Sequence, residues 1–398
     1  MDPVINPYAP GAGTPPPELA GRDALRENIR IAVKRMRIGN AAKSLILVGL
    51  RGVGKTVLLE QMRKDVESLG ALTLRIEAPE DRSLPALLAP QLRTTLLGLS
   101  KVDAARDLAR KSLRALAGFA KALKLKYGDI EVGVDLEAEA GLADNGDLET
   151  DLSVLLQQVG LTARSANTIL VMFIDELQYV QEDELSALIS AMHRCAQEKL
   201  PLTLVAAGLP QLVGRAGKAK SYAERLFDYP EIGPLSSSEA SIALTRPAAG
   251  LDVRFEDTAV DEIFRCTFGY PYFLQEWGKH VWDLAPGSPI TKADVERASD
   301  VALAALDENF FRVRFDRCTP AERRYLRAMA ELGPGPHRSG DIAQTLSQKV
   351  ISLAPLRNRL IRKGMIWAPS HGDTAFTVPL FHDYLARVMP GDAWKSLN

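Results

Sequence analysis

Residues 44–56, Ser44-Leu45-Ile46-Leu47-Val48-Gly49-Leu50-Arg51-Gly52-Val53-Gly54-Lys55-Thr56, carry the groups best suited to phosphate chemistry. The spacing is G-x-x-x-x-G-K-[ST], with an apolar β-rich run before it and a helix-forming stretch, Val57-Leu58-Leu59-Glu60-Gln61-Met62, after it. Agreement of strand, loop and helix separates a phosphate-binding loop from a mere Gly-rich turn. Gly49, Gly52 and Gly54 let the backbone curl so that its N–H groups point at phosphates, and the helix N-terminus adds partial positive charge. Lys55 is placed to reach the β and γ phosphates, and the Thr56 hydroxyl to hold Mg2+. Leu50, Arg51, Val53 and Val57 belong to the same wrapping segment and are counted among the nucleotide contacts. The chain is expected to bind a nucleoside triphosphate.

A second set of groups suits water attack. The apolar run Ile169-Leu170-Val171-Met172-Phe173-Ile174 ends in Asp175-Glu176, the form of a Walker B strand. A buried strand of this kind delivers two carboxylates to its C-terminal edge, where open α/β sheets bind ligands. Asp175 would orient Mg2+ or its water, and Glu176 would polarise the attacking water, with Lys55 beside the phosphates. Downstream lies Lys218-Ala219-Lys220-Ser221-Tyr222-Ala223-Glu224-Arg225-Leu226-Phe227. Arg225 is the candidate for an arginine that crosses a subunit interface to a neighbour's nucleotide; the alternative is a surface arginine paired with Glu224 or another carboxylate.

These groups need a scaffold. Residues 1–17 are rich in Pro and Gly and read as an extended arm, and a helix follows over about 22–37. Strands are expected over about 71–76, 168–174 and 202–207. Helices are expected over 84–125, interrupted around 99–103, and over 148–163 and 182–197. Apolar strands alternating with helices predict an α/β fold, a parallel sheet sandwiched by helices. Within 123–136 the period switches: Leu123, Leu125, Tyr127, Ile130, Val132, Val134 and Leu136 alternate with polar or small residues around Gly128-Asp129, which reads as a hairpin. From Asp129 to Asp151 there are nine acidic residues and no basic one, a solvated face by default and a docking surface for a basic partner as the alternative. Residues 236–300 read as helical.

The C-terminal residues read differently. Thr319-Pro320-Ala321-Glu322 is a capping box with proline at the first helical position, starting a helix that ends near Glu331. Short and long helices follow over 341–346 and about 349–363, the latter interrupted or bent by Pro355. Two strands, 365–367 and 376–378, flank a turn at His371-Gly372-Asp373, and the set resembles a winged helix-turn-helix. Between Arg312 and Lys363 twelve basic residues oppose four acidic ones, a local excess of +8 that fits a duplex-binding face. Gln348, Lys349, Ser352, Arg357, Arg359 and Arg362 are the candidate DNA contacts, with His371 at the wing tip. Protein docking through the same module is the competing reading.

Length and composition narrow the class. At 398 residues the chain makes two or three domains, and 49 basic against 50 acidic residues give no global field. Cys195, Cys266 and Cys318 are far apart with no C-x-x-C, which argues against a disulfide framework or zinc site and suits a reducing cytoplasm. No apolar run approaches the ~18 residues of a membrane span, and the N-terminus lacks the basic segment of a secretion signal.

Taken together, the motifs resemble those of the AAA+ ATPases, particularly the branch shared by initiator-type (origin-recognition-like) and STAND ATPases, over roughly residues 15–300. Glu18-Leu19-Ala20-Gly21-Arg22-Asp23 is similar to the segment that borders adenine, which marks Arg22. Phe268-Gly269-Tyr270-Pro271-Tyr272-Phe273-Leu274-Gln275 is similar to the helical-lid motif where AAA+ proteins keep a sensor arginine, here absent; Pro271 takes its place beside the nucleotide. Aromatic packing of the lid's own core accounts for Tyr270, Tyr272, Phe273 and Trp277. In P-loop ATPases with an inserted central strand a polar residue follows the 202–207 strand; this chain has Gly208, so that role is empty or passes to Gln211 or Thr203.

The resemblance implies an arm (1–17), an ATPase core (18–235) with the acidic insert at about 100–150, an α-helical lid (236–310) and a C-terminal winged helix (311–398). It also implies ATP and Mg2+ as cofactors, slow hydrolysis and self-association in the ATP state. The leading expectation is a nucleotide switch that binds duplex DNA. The alternative is a signalling or assembly scaffold whose winged helix and acidic insert dock protein partners.

Overall fold

A computed structural model describes residues 1–11, 13–78, 82–124, 139 and 141–396. The hairpin expected over 123–136 and the first part of the acidic stretch lie outside the described residues. The chain forms two compact units, one of residues 22–49 and 55–232, the other of 1–21, 50–54 and 233–398.

The first unit contains α1 (Asp23–Arg37), β1 (Ser44–Val48), α2 (Lys55–Ser68), β2 (Leu72–Glu77), α3 (Leu84–Leu99), α4 (Arg106–Ala122), α5 (Leu148–Ser165), β3 (Leu170–Asp175), α6 (Glu182–Gln197), β4 (Leu202–Gly208), α7 (Gln211–Ala219), α8 (Ala223–Leu226) and β5 (Phe227–Asp228). Its five strands are all parallel, in the order β2-β3-β4-β1-β5. Every residue of β1, β3 and β4 is buried, so these strands read as continuous apolar runs and not as alternating ones. One face, including Ile46, Ile76, Met172 and Leu204, packs in a single cluster with residues of α3 to α6. The other face is covered by α2, which contacts β2, β3 and β4. Asp65 on α2, 5 % exposed, accepts from the guanidinium of Arg26 at 2.8 and 3.0 Å and of Arg30 at 2.9 Å, tying α1 to α2. The strand order sets the site: β4 lies between β1 and β3, so the strand that ends in Asp175 is one place removed from the strand that feeds the glycine loop.

The second unit is largely helical, with α9 (Ser237–Ala249), α10 (Asp257–Thr267), α11 (Pro271–Leu284) and α12 (Lys292–Leu306). The arm read from residues 1–17 is anchored within this unit. Tyr8 is 3 % exposed, its hydroxyl donates to the Leu244 carbonyl, and its ring lies where a Cβ on Gly278 would come within 2.7 Å. Asn6 donates to the Lys279 carbonyl at 3.0 Å and to Asp283 at 2.8 Å. Pro and Gly spacing suggested an extended segment, and the segment is indeed nearly without regular structure, but a single buried aromatic anchors it to α9 and α11.

A π-helical turn (Asp307–Phe311) joins α12 to α13 (Arg312–Asp316). Here Tyr272 stacks on Phe310 at 4.8 Å, Phe310 meets Phe311 at 5.3 Å, and Phe311 meets Phe381 and Tyr384 at 5.6 and 5.4 Å. The remaining elements are α14 (Pro320–Glu331), β6 (His337–Arg338), α15 (Ser339–Thr345), α16 (Val350–Arg362), β7 (Ile366–Trp367), β8 (Asp373–Phe376) and α17 (Phe381–Val388). The three strands are antiparallel in the order β6-β8-β7. The capping box at Thr319 and Glu322 is formed as expected, and Pro355 lies within α16 without ending it. Of the elements after α13, two had no sequence expectation: β6, two residues long after a Pro-Gly-Pro segment, and α17.

Candidate functional site

In the first unit, Lys55 opens α2, is 8 % exposed, and donates from Nζ to the Gly49 carbonyl at 2.9 Å. The Thr56 hydroxyl, one residue on, bonds the Asp175 carboxylate at the end of β3. Asp175 is 2 % exposed; burial raises its pKa above the ordinary aspartate value, and the Thr56 bond works in the opposite direction. Glu176 follows in the left-handed region at φ 54°, its N–H held by Asp175 Oδ1 at 2.8 Å. The hydroxyl and carboxylate expected to face one cation are thus already in contact, an all-oxygen pair of the kind Mg2+ prefers alongside phosphate oxygens. No group of three or more His, Cys, Asp or Glu side chains suited to hold a metal on its own exists among the described residues. The donor set fits a cation that arrives with a nucleotide.

Leu50–Gly54, the crest of the loop, belongs to the second unit. Gly52 and Gly54 have φ of +83° and +88°, the left-handed conformation that glycine accepts without a Cβ clash. Tyr270, 2 % exposed, directs its hydroxyl to the Arg51 carbonyl and lies 3.2 Å from the Thr377 carbonyl. A Cβ on Gly52 would come within 2.8 Å of its ring. Burial raises the pKa of Tyr270, which keeps the phenol a donor. Core packing therefore accounts for only half of this residue; its oxygen engages the loop's main chain. Pro271 is the first residue of α11, and Arg22, 9 % exposed, is the N-cap of α1.

Of the two residues considered to replace a polar group after β4, Thr203 lies at the opposite end of that strand. Its hydroxyl is 3.1 Å from that of Ser44, the first residue of β1, so it takes no part in the site. Gln211 opens α7. The residue that sequence reading passed over is Gln178. It is 9 % exposed, donates from Nε2 to the Glu176 carboxylate, and accepts the Leu209 N–H at 3.1 Å. Its turn is fixed by Arg215 of α7, which donates to the carbonyls of Gln178 and Val180. A glutamine two residues past Asp175-Glu176 was a readable signal, but nothing in spacing alone shows that the chain doubles back there.

Arg225 is exposed on α8, and among the described residues it forms no ion pair with Glu224. In the C-terminal elements Gln348, Lys349, Ser352, Arg359, Arg362 and His371 are exposed. Arg357 is placed otherwise: its guanidinium is half-buried, donating to Thr374 Oγ1 and the Asp373 carbonyl, both at 2.7 Å, so it braces α16 against β8. Glu322, 1 % exposed, takes up Lys363 at 2.6 Å and is approached by Arg359 at 3.7 Å. The basic excess is thus partly consumed within the fold.

Comparison with known proteins agrees with this geometry. Residues 18–205 match the family model described as an AAA ATPase domain, and residues 308–385 match a domain of unknown function, DUF8462. No curated protein matches the sequence. Among solved structures, the Walker-type ATPase PABY2304 of Pyrococcus abyssi is similar at 16 % identity over 94 % of this chain and 97 % of its own, with a TM-score of 0.59. Cdc6p of Pyrobaculum aerophilum (13 % identity, 98 % of each chain, TM-score 0.47) and RuvB of Thermotoga maritima (17 %, 90 % and 93 %, 0.45) also align. Residues 18–205 are thus similar to AAA ATPase domains, and the parallel five-stranded sheet has the fold of P-loop ATPases.

Proposed function

We propose that this AAA ATPase binds ATP with Mg2+, hydrolyses it slowly, and uses the bound nucleotide to govern duplex-DNA binding by residues 311–398 acting as a winged helix. The observation that carries the nucleotide part is the contact between Thr56 and Asp175 beside a buried Lys55. Lys55 would exchange the Gly49 carbonyl for the β and γ phosphates, and the loop N–H groups would hold the phosphate oxygens. Thr56 and Asp175 would hold the Mg2+, which supplies charge neutralisation on the transferring phosphoryl group. Glu176 would take the proton of the attacking water. Adenine is favoured over guanine because no Asn-Lys-x-Asp signature is present in the sequence. The slow turnover in this reading rests on Gly208, which brings no polar side chain to the end of β4, and on the absence of an arginine in the Phe268–Gln275 motif.

Support for the DNA part comes from the order helix, strand, two helices and two strands over 320–376, and from Ser352, Arg359 and Arg362, which recur at helical spacing on the exposed side of α16. Exposed Arg225 is the residue proposed to reach a neighbouring copy in the ATP state. Three free thiols accord with a reducing, cytoplasmic setting, and no described helix is long and apolar enough to cross a membrane. A second reading, protein docking through the same helix, is favoured by Val350 and Ile351, 45 % and 87 % exposed at its start.

The test is nucleotide and duplex binding by the full chain with no nucleotide, ADP, or a slowly hydrolysed ATP analogue, at two salt concentrations. Lys55→Ala and the triple change Lys349→Ala, Arg359→Ala, Arg362→Ala run beside it. Salt-steep binding that follows nucleotide state and is lost in the triple variant supports the switch. Duplex binding absent in every state would remove the DNA part and leave the docking reading.

A further inference from the structure

Gly208, the last residue of β4, has no room for a side chain. A Cβ there would come within 2.8 Å of Gln178 Oε1 and 2.9 Å of Leu212 Cδ2. The space that a polar side chain on β4 would use is filled from the other side by the amide of Gln178. That amide has a fixed sense. The Leu209 N–H needs an acceptor, so Oε1 faces it at 3.1 Å, and Nε2 is left to donate to Glu176. Arg215 pins the main chain of the same turn through two carbonyls, and Gln178 itself is buried. The carboxylate expected to handle the attacking water therefore has its partner not on the neighbouring strand but two residues along its own chain.

We infer that Gln178 is the positioning residue for Glu176, standing in for the side chain that Gly208 lacks. This inference rests on the ATPase reading given above. Gln178 carries out no step of its own. In hydrolysis the water oxygen bonds to the γ-phosphorus as the bond to the β-γ bridging oxygen breaks, and Glu176 receives the water proton. The Gln178 N–H limits the directions in which the Glu176 carboxylate can point, and the bond to Leu209 limits Gln178. Gly208 suits the arrangement because a Cβ there would come within 2.8 Å of Gln178 Oε1 and oblige the amide to shift.

The relationship between positions 178 and 208 makes the test specific. Single-turnover hydrolysis and nucleotide affinity are measured in the full chain for wild type, Glu176→Gln, Gln178→Ala, Gln178→Glu, Gly208→Ser and the double variant Gln178→Ala with Gly208→Ser. Gln178→Glu keeps the shape and the acceptor for Leu209 while setting a second carboxylate against Glu176, and thermal melting of each variant beside wild type controls for folding. The expected result is a hydrolysis rate lowered about 10- to 100-fold in Gln178→Ala, Gln178→Glu and Gly208→Ser, with nucleotide affinity unchanged within about twofold. The double variant recovers at least about fivefold over Gln178→Ala, because the hydroxyl enters space the amide has left.

A merely structural glutamine would give additive losses and no recovery. Hydrolysis in Gln178→Ala equal to wild type while Glu176→Gln is slow, or a double variant no faster than either single one, overturns the inference and leaves the ATPase reading intact. Glu176→Gln as fast as wild type, or no hydrolysis in either, removes the catalytic reading and this inference with it.

Discussion

Tyr270 holds Arg51 by its main chain: the phenol oxygen reaches the Arg51 carbonyl at the crest of the phosphate loop and the Thr377 carbonyl just past β8. The Arg51 side chain closes the same arrangement, since a Cβ on Gly364 would come within 2.5 to 2.9 Å of its guanidinium. The single phenol hydrogen is shared between the two carbonyls, so removing the hydroxyl takes away one donor from a largely buried place. Tyr270→Phe is therefore expected to lower stability by about 1–2 kcal/mol, read from chemical denaturation, with little change in circular dichroism. Equal stability would show that the ring alone matters.

Gly52 and Gly54 share a left-handed backbone but differ in surroundings: Tyr270 lies against the first, and nothing lies within 4 Å of a Cβ on the second. Gly54→Ala should cost about 1 kcal/mol through backbone strain alone. Gly52→Ala should cost about 1–2 kcal/mol more, because the ring of Tyr270 must also move. Thermal melting of the two variants side by side decides this, and equal losses would refute the packing argument.

Asp175 sets a pH dependence. Its folded pKa is raised by burial above the ordinary 3.8, so its proton is retained to a higher pH than on a free aspartate. Holding Mg2+ requires the carboxylate. Mg2+-dependent nucleotide affinity should consequently weaken as pH is lowered, starting above the pH where an ordinary aspartate protonates, while binding in excess chelator changes less. Asp175→Asn should abolish the difference between the two titrations. A fluorescent ATP analogue titrated at several pH values provides the measurement.

Glu322 carries the opposite sign. Burial raises its pKa, but the bond from Lys363, the capping N–H of Thr319 and nearby positive charge prevail, leaving it below the ordinary 4.5. Its stabilising contribution is present above about pH 4.5 and is lost as pH falls through the lowered folded value. Glu322→Gln should flatten that acid limb and cost about 2 kcal/mol at neutral pH. Arg359→Ala, at a half-exposed and longer pairing, should cost less than about 1 kcal/mol.

Arg357 and Arg359, two residues apart on α16, should behave differently. Arg357→Ala breaks two 2.7 Å bonds to β8 and should destabilise the fold more than Arg359→Ala or Arg362→Ala, whereas on the proposed reading the latter two should weaken duplex binding with at most a small shift in melting temperature. A melting temperature unchanged in Arg357→Ala would argue that its bonds contribute nothing.

What could be read from the sequence follows from the range of the physics involved. The loop, the Asp175-Glu176 strand end and the helices 182–197 and 320–331 are local patterns: apolar period, glycine spacing, a capping box. Residues whose role depends on where the chain returns in space were not legible. Tyr270 looked like core packing because its ring is apolar and its oxygen's partner lies 219 residues away. Gln178 offered only its nearness to Asp175-Glu176, and its significance depends on Gly208 being its neighbour in space. The proline-rich start read as an extended arm because its composition lacks helix and strand formers, and nothing in that composition showed that Tyr8 would be buried. Arg357 counted as positive charge in the sequence and proved to be a brace.

The ring contacts from Tyr272 through Phe310 and Phe311 to Tyr384 have a mechanical consequence. Interlocked aromatic side chains resist bending far better than a bare linker, and here they span the π-helical turn where a hinge would otherwise form. Helix α11 and helix α17 are therefore joined through side chains as well as through the main chain. Parting α17 from α11 would require these rings to separate, so the two helices are expected to move together.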